Sequence, residues 1–123
     1  MSEENLMIAQ AYYADMNKKD VESMEKRLHS NIQFIGPMAE VNGKESVLKA
    51  IKGFITAFKT LKVRAKFHSG DQVMLAIDTE FPAPVGNHRA ASLLTIENGL
   101  IARIELFYDT QVIESKKDEI FSH

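Results

Sequence analysis

Apolar positions follow a helical period in the first half of the chain and a strand period in the second. Leu6, Ala9, Tyr13 and Met16 recur at helical spacing, with Ile8 and Tyr12 beside them. Ser2, followed by Glu3 and Glu4, reads as an N-cap with acids in the first turn. The polar run "NKKD" ends this pattern, and Asp20 is placed to cap a second helix with the face Val21, Met24 and Leu28. "NIQFIGP" reads as a short strand carrying Phe34 and closed by Gly36-Pro37. "VNGKES" reads as a turn. Val47, Leu48, Ile51, Phe54, Ile55 and Phe58 then mark a third amphipathic helix.

Beyond that helix the period becomes two. Leu61, Val63, Ala65 and Phe67 alternate with Lys62, Arg64, Lys66 and His68, which predicts a half-buried strand. "HSGD" turns the chain. Val73, Leu75, Ile77, Thr79 and Phe81 then alternate with Met74, Ala76, Asp78 and Glu80, so both acids are expected to face away from the core. A slip of one residue there would turn Asp78 and Glu80 into an inward acid–base pair. After the connection "FPAPVGN", "HRAASLLTI" and "LIARIELFYD" form two more strands joined by "ENG". Helices followed by an antiparallel meander predict an α+β fold of one domain over 1–123, with 114–123 as a polar tail.

The "ENG" turn decides which side chains share a face. A two-residue loop, Asn98-Gly99, would pair Glu97 with Leu100 and set Arg103 beside Leu94. A three-residue loop pairs Ile96 with Leu100, Leu94 with Ala102, Ser92 with Ile104, Ala90 with Leu106 and His88 with Tyr108. The second register separates charge from apolar surface better and is the one expected. It puts Ser92, Leu94, Ile104, Leu106 and Tyr108 on a concave, buried face, with His88 and Tyr108 at its polar end. Arg89, Ala91, Leu93, Ile101, Arg103, Glu105, Phe107 and Asp109 fall on the convex face. Ala91, Leu93, Ile101 and Phe107 make that face apolar enough to predict a homodimer through it.

Composition narrows the function classes. The chain has 123 residues, 45% hydrophobic and 26% charged, with a formal net charge of −2, so a nucleic-acid partner is not expected. With no cysteine, thiolate catalysis and cysteine-ligated zinc are excluded. His29, His68, His88 and His123 show no metal-ligand spacing, and no cofactor is expected. No apolar run approaches the roughly 20 residues of a membrane span. The acidic "MSEENLMIAQ" shows no secretory signal, so a cytoplasmic protein is expected.

The segments "AYYADMNKKDVESMEKRLHSNIQFIGP", "NGKESVLKAIKGF" and "ENGLIARIELFYDT", in this order, resemble the SnoaL-like branch of the nuclear transport factor 2-like superfamily. The likeness covers nearly the whole chain. It implies a cone-shaped curved antiparallel sheet wrapped around N-terminal helices, a conical pocket and dimers through the sheet. Relatives include ketosteroid isomerases, polyketide cyclases, limonene epoxide hydrolase and non-catalytic modules, so the resemblance implies a fold and not a reaction. By that resemblance, the isomerase's first-helix tyrosine falls at about Tyr12, its general-base aspartate at Gly36 and its second oxyanion-hole acid at about Ser92. Glycine cannot serve as a base. The epoxide hydrolase acid falls at Leu106 and its arginine near Asp78, so that set is also broken.

The expected pocket lining is Tyr12, Tyr13, Phe34, Ser92, Ile104 and Leu106, and the candidate catalytic residues are His88, Tyr108 and Asp109. His88 suits a general base or a plain strand-end position at a pocket rim. Tyr108 suits a ligand-orienting hydroxyl or a half-buried aromatic with a wet tip. Asp109 shares the parity of Arg103 and is expected to point outward. A bulge near Phe107, or an early end to the strand, would instead bring its carboxylate to His88. The expected function is binding of a small apolar molecule. The alternatives are an acid–base enzyme (isomerase, cyclase or dehydratase) and a protein-interaction module.

Overall fold

The computed structural model describes residues 2–110, and the polar tail expected at 114–123 lies outside the described residues. Three helices and six strands follow one another as α1 (Ser2–Asn17), α2 (Val21–Lys26), β1 (Leu28–Ile35), β2 (Glu40–Asn42), α3 (Lys44–Ile55), β3 (Thr60–Ser69), β4 (Gln72–Glu80), β5 (Asn87–Glu97) and β6 (Leu100–Tyr108). The strands form one sheet in the order β2-β1-β6-β5-β4-β3. β1 lies parallel to β6; the other neighbours are antiparallel. This is the expected α+β architecture, with the helices on one face of a curved sheet.

The helices stop where local chemistry stops them. At the end of α1, Lys19 takes a positive φ of 61°, and its ammonium donates to the Phe58 carbonyl at 2.6 Å. The same ammonium sits 4.7 Å from the Phe58 ring centroid. Asp20 then caps α2 as expected: its Oδ1 accepts the Ser23 N–H at 3.2 Å and its Oδ2 accepts the Ser23 hydroxyl at 2.9 Å. Asp20 is thereby held below the usual carboxylate pKa, first by the Ser23 backbone N–H and then by the Ser23 hydroxyl. Asn17 Oδ1 accepts the Leu61 N–H at 2.8 Å, which ties the end of α1 to the start of β3.

Four local expectations are corrected. Leu28 belongs to β1 and not to α2: it pairs with Ile101, and the Ile101 N–H donates to the Arg27 carbonyl at 2.8 Å. Phe58 lies beyond α3, which is capped at Thr56, yet it is buried. Val41 and Asn42, read as part of a turn, belong with Glu40 to an edge strand paired with β1. In β3 the register shifts between Val63 and Ala65. This bulge turns Ala65 and Phe67 to the convex face opposite Ala76 and Met74, and Phe67 is 66% exposed.

The β5–β6 hairpin corrects the expected register while keeping most of its faces. The loop is the two residues Asn98 and Gly99, with Glu97 opposite Leu100 and Ile96 opposite Ile101. Asn98 and Gly99 have φ of 52° and 79°, the left-handed pair that two-residue hairpins need. A bulge at Ala102 then sets Thr95 opposite Arg103 and Leu94 opposite Ile104. The two-residue loop puts Ile101, expected on the convex face, fully into the core, and the bulge returns Arg103 and Glu105 to the outward side. Arg103 donates to Glu105 there at 3.0 Å. The partners also shift: Ser92 lies opposite Leu106 and Ala90 opposite Tyr108, while His88 pairs with Thr79.

The core lies between the helices and the concave face. Ala9, Tyr12, Tyr13 and Met16 of α1 meet Leu75, Leu94, Ile96 and Ile104 of the sheet, with Val47 and Ile51 of α3 alongside. Asp78 and Glu80 face away from it. Asp78 pairs with Arg64 at 3.3 Å, and Glu80 Oε1 accepts the Thr60 hydroxyl at 3.3 Å.

Candidate functional site

Between α1, α3, the β1–β2 connection and the concave sheet lies a cavity of about 590 Å³. Its wall is mostly apolar, with Met16, Phe34, Met38, Phe54, Ile77 and Leu106 among its members. That volume falls within the range of small-molecule sites, which usually combine apolar walls with a few convergent polar groups. α3 turns Ser46, Lys49, Ala50 and Gly53 toward the space. These residues share a helix face, and the small ones leave room that larger side chains would fill.

The structure places the expected site residues unequally. Tyr12, Tyr13, Phe34, Leu106, His88 and Tyr108 lie on the cavity wall. Ser92 and Ile104 do not: both are fully buried behind it. Ser92 Oγ lies 2.7 Å from the Tyr13 hydroxyl, so its role is to satisfy a buried phenol. Asp109 is not on the wall either and is exposed. His88 Nε2 does contact Asp109 at 3.0 Å, but through the backbone carbonyl and not the carboxylate. A carbonyl only accepts, so Nε2 carries the proton and Nδ1 is the imidazole's remaining acceptor.

One side of the cavity is built of rings meeting edge to face. Phe54 and Phe81 have centroids 6.0 Å apart, Phe81 and His88 6.3 Å, and His88 and Tyr108 5.5 Å. Tyr12 and Tyr13 make a further T-shaped pair at 5.0 Å. Such contacts hold the rings in fixed orientations. Burial raises the pKa of all three phenols. Tyr13 is pushed up to about 12, against a smaller lowering by the Ser92 hydrogen bond. Tyr12 rises through burial and then through Tyr13. Tyr108, half-buried, rises through burial alone. At neutral pH all three are therefore protonated and can donate hydrogen bonds.

Thr79, Phe81, Phe54, Met38 and Lys49 line the cavity without having been singled out from the sequence. For α3 a signal existed in the small residues Ser46, Ala50 and Gly53 at helical spacing. For Thr79 it lay in a hydroxyl at an inward strand position. Among the described residues no group of three or more His, Asp or Glu could hold a metal ion, and no helix is long and apolar enough to cross a membrane.

Residues 9–104 match the SnoaL-like domain family. Several solved structures share the fold. An NTF2-like protein of unknown function from Cytophaga hutchinsonii ATCC 33406 is 22% identical, with a TM-score of 0.76 over 87% of this chain and 91% of that one. A ketosteroid isomerase-like protein from Kribbella flavida DSM 17836 is 15% identical, with a TM-score of 0.81 over 88% and 79%. TerC, co-crystallised with polyporic acid, is 17% identical, with a TM-score of 0.77 over 98% and 99%. No curated protein matches the sequence.

Proposed function

Since this chain belongs to the SnoaL-like domain family, whose structural relatives include isomerase-like and cyclase-like proteins, we propose that it binds a small, largely apolar ring compound in the cavity beneath the sheet. The observation that carries this reading is the cavity itself. About 590 Å³ is walled by apolar side chains, with the phenols of Tyr12 and Tyr108 and the imidazole of His88 as its sparse polar groups. Apolar walls supply affinity, and a few fixed donors set orientation. TerC, which shares this fold, was co-crystallised with polyporic acid, which supports a small organic ligand. Tyr108, with Ala90 opposite it and His88 against its ring, is the proposed orienting residue.

The test uses the three tyrosines, all of which line the cavity. Their ring signals in NMR report any occupant. A library of neutral and charged ring compounds should contain members that shift these signals saturably, and Tyr108→Phe should weaken their binding while leaving the fold intact. A library that moves no tyrosine signal overturns the reading.

A second reading, acid–base catalysis, is favoured by one observation: His88 and Tyr108 stand ring to ring on the cavity wall. There His88 Nδ1 would take a proton and the Tyr108 hydroxyl would steady the resulting oxyanion. The ketosteroid isomerase route is not part of this reading, because Gly36 stands where its base would be.

We also propose a homodimer through the convex sheet face, where Phe67, Met74, Leu93 and Phe107 lie on neighbouring strands. Phe67 and Phe107 are 66% and 49% exposed, and their cover by a second copy would remove this apolar area from water.

A further inference from the structure

The charge of the lining limits what the cavity can hold. Resting on the reading that the cavity takes a small apolar ring compound, the geometry points to an acidic ligand: a ring carrying a carboxylic acid or an acidic enol, bound as its anion against a protonated His88. Among the described residues the wall carries no aspartate and no glutamate, although the chain has 17 of them. Its ionisable members are three phenols, one imidazole and one ammonium, Lys49.

Of the acids next in sequence to wall residues, Glu40 and Glu45 are exposed and not part of the wall, and others are engaged elsewhere. Asp15 pairs with Arg27, Asp78 with Arg64 and Glu105 with Arg103; Glu80 accepts from Thr60, and Asp109 is exposed, its backbone carbonyl meeting His88 Nε2 at 3.0 Å.

A buried charge needs a partner of opposite sign, because an apolar wall cannot replace its hydration. A cationic ligand would find no carboxylate on this wall and would feel the ammonium of Lys49. An anionic one would find donors. The phenols are neutral and can donate to an oxyanion. His88 is prepared for the proton: its Nε2–H is committed to the Asp109 carbonyl at 3.0 Å, which leaves Nδ1 as the acceptor. An acidic enol passes its O–H proton to Nδ1. A carboxylic acid, already ionised in water near neutral pH, arrives as the carboxylate, and Nδ1 takes its proton from solvent. In either case an oxyanion meets an imidazolium, with no other bond made or broken. The imidazolium keeps its hydrogen bond to Asp109 through Nε2–H. Lys49, an exposed residue of α3, is part of the lining, where its charge favours entry of an anion.

The experiment compares three probes with one ring system: naphthoic acid, acetylnaphthalene and naphthylmethylamine. Affinity is measured by titration calorimetry near neutral pH, and the tyrosine ring signals place each probe in the cavity. The acid should bind about ten-fold or more tighter than the amine, with the ketone between them. His88→Gln should reduce the affinity for the acid several-fold more than that for the ketone, with circular dichroism showing that the variant folds. Lys49→Ala should slow entry of the acid alone. Equal affinities, or a preference for the amine through the ring faces, would overturn the acidic-ligand inference while the cavity reading stands. A preference for the acid that survives both substitutions would overturn the role given to His88. Failure of all three probes to bind would remove the cavity reading and this inference with it.

Discussion

Tyr13 and Ser92 show how one buried hydrogen bond is set by two elements far apart in the chain. The hydroxyls are 2.7 Å apart, on α1 and β5, and no buried side-chain polar atom lacks a partner among the described residues. Tyr13→Phe would strand the Ser92 hydroxyl in the core, and such a loss costs about 1–3 kcal/mol. Ser92→Ala should cost a comparable amount, and the double substitution clearly less than the two added together. Denaturant titration of the three variants checks this; strictly additive losses would refute the coupling. The raised phenol pKa values carry a pH dependence of definite sign. A group whose pKa is higher folded than unfolded contributes stability in full below the unfolded value and loses it as pH rises through the folded one. For Tyr13 that window runs from the ordinary 10.0 to about 12. Tyrosinate absorbance should therefore rise only above pH 10 in the native protein, and near the ordinary value once the chain is denatured. A native titration centred at 10 would refute the burial of the phenols.

At the scale of the elements, two glycines with opposite demands can be tested against each other. Gly99 closes the β5–β6 turn with φ at +79°, so Gly99→Ala should destabilise by about 1–2 kcal/mol, the cost of a left-handed side chain. Gly53 lies inside α3, and an added Cβ would meet nothing within 4 Å. Gly53→Ala should therefore stabilise the fold by about 0.5–1 kcal/mol, the helical cost of glycine. Thermal unfolding of the two variants gives both signs in one experiment, and a Gly53→Ala protein that melts below the wild type would contradict the open space on that helix face.

For the whole molecule, the proposed dimer makes the convex face the decisive surface. The bulge at Arg64 adds Phe67 to the apolar strip formed by Met74, Leu93 and Phe107. Burying such area contributes about 25 cal/mol per Å². The wild type should sediment as a dimer at roughly tens of micromolar, where a dimer with a Kd near 1 μM persists. Phe107→Glu should sediment as a monomer, because the interface would bury an unpaired carboxylate. A wild type that sediments as a monomer at that concentration refutes the dimer.

Local patterns were enough to read the order of the helices and the longer strands, the inward parity of Leu75, Ile77 and Leu94, the cap at Asp20 and the α+β class, because these depend on periods of a few residues. The faces of Arg103 and Glu105 were also legible, since charge segregates from a buried sheet face. Bulges were not: one extra residue at Ala102 restores the outward parity of Arg103 after a two-residue loop, and another at Arg64 turns Phe67 outward. Nothing in the local alternation announces an extra residue, because its cost is set by twist and by packing against the helices. The same limit applied to the site. Tyr108 and His88 could be brought near each other from parity alone, but the partition of Ser92 into the core, the Asp109 carbonyl on His88, and the meeting of Lys49, Thr79 and Phe54 around one space depend on how α3 lies across the sheet. Short-range chemistry wrote the elements of this protein; long-range packing decided which of their side chains face the cavity.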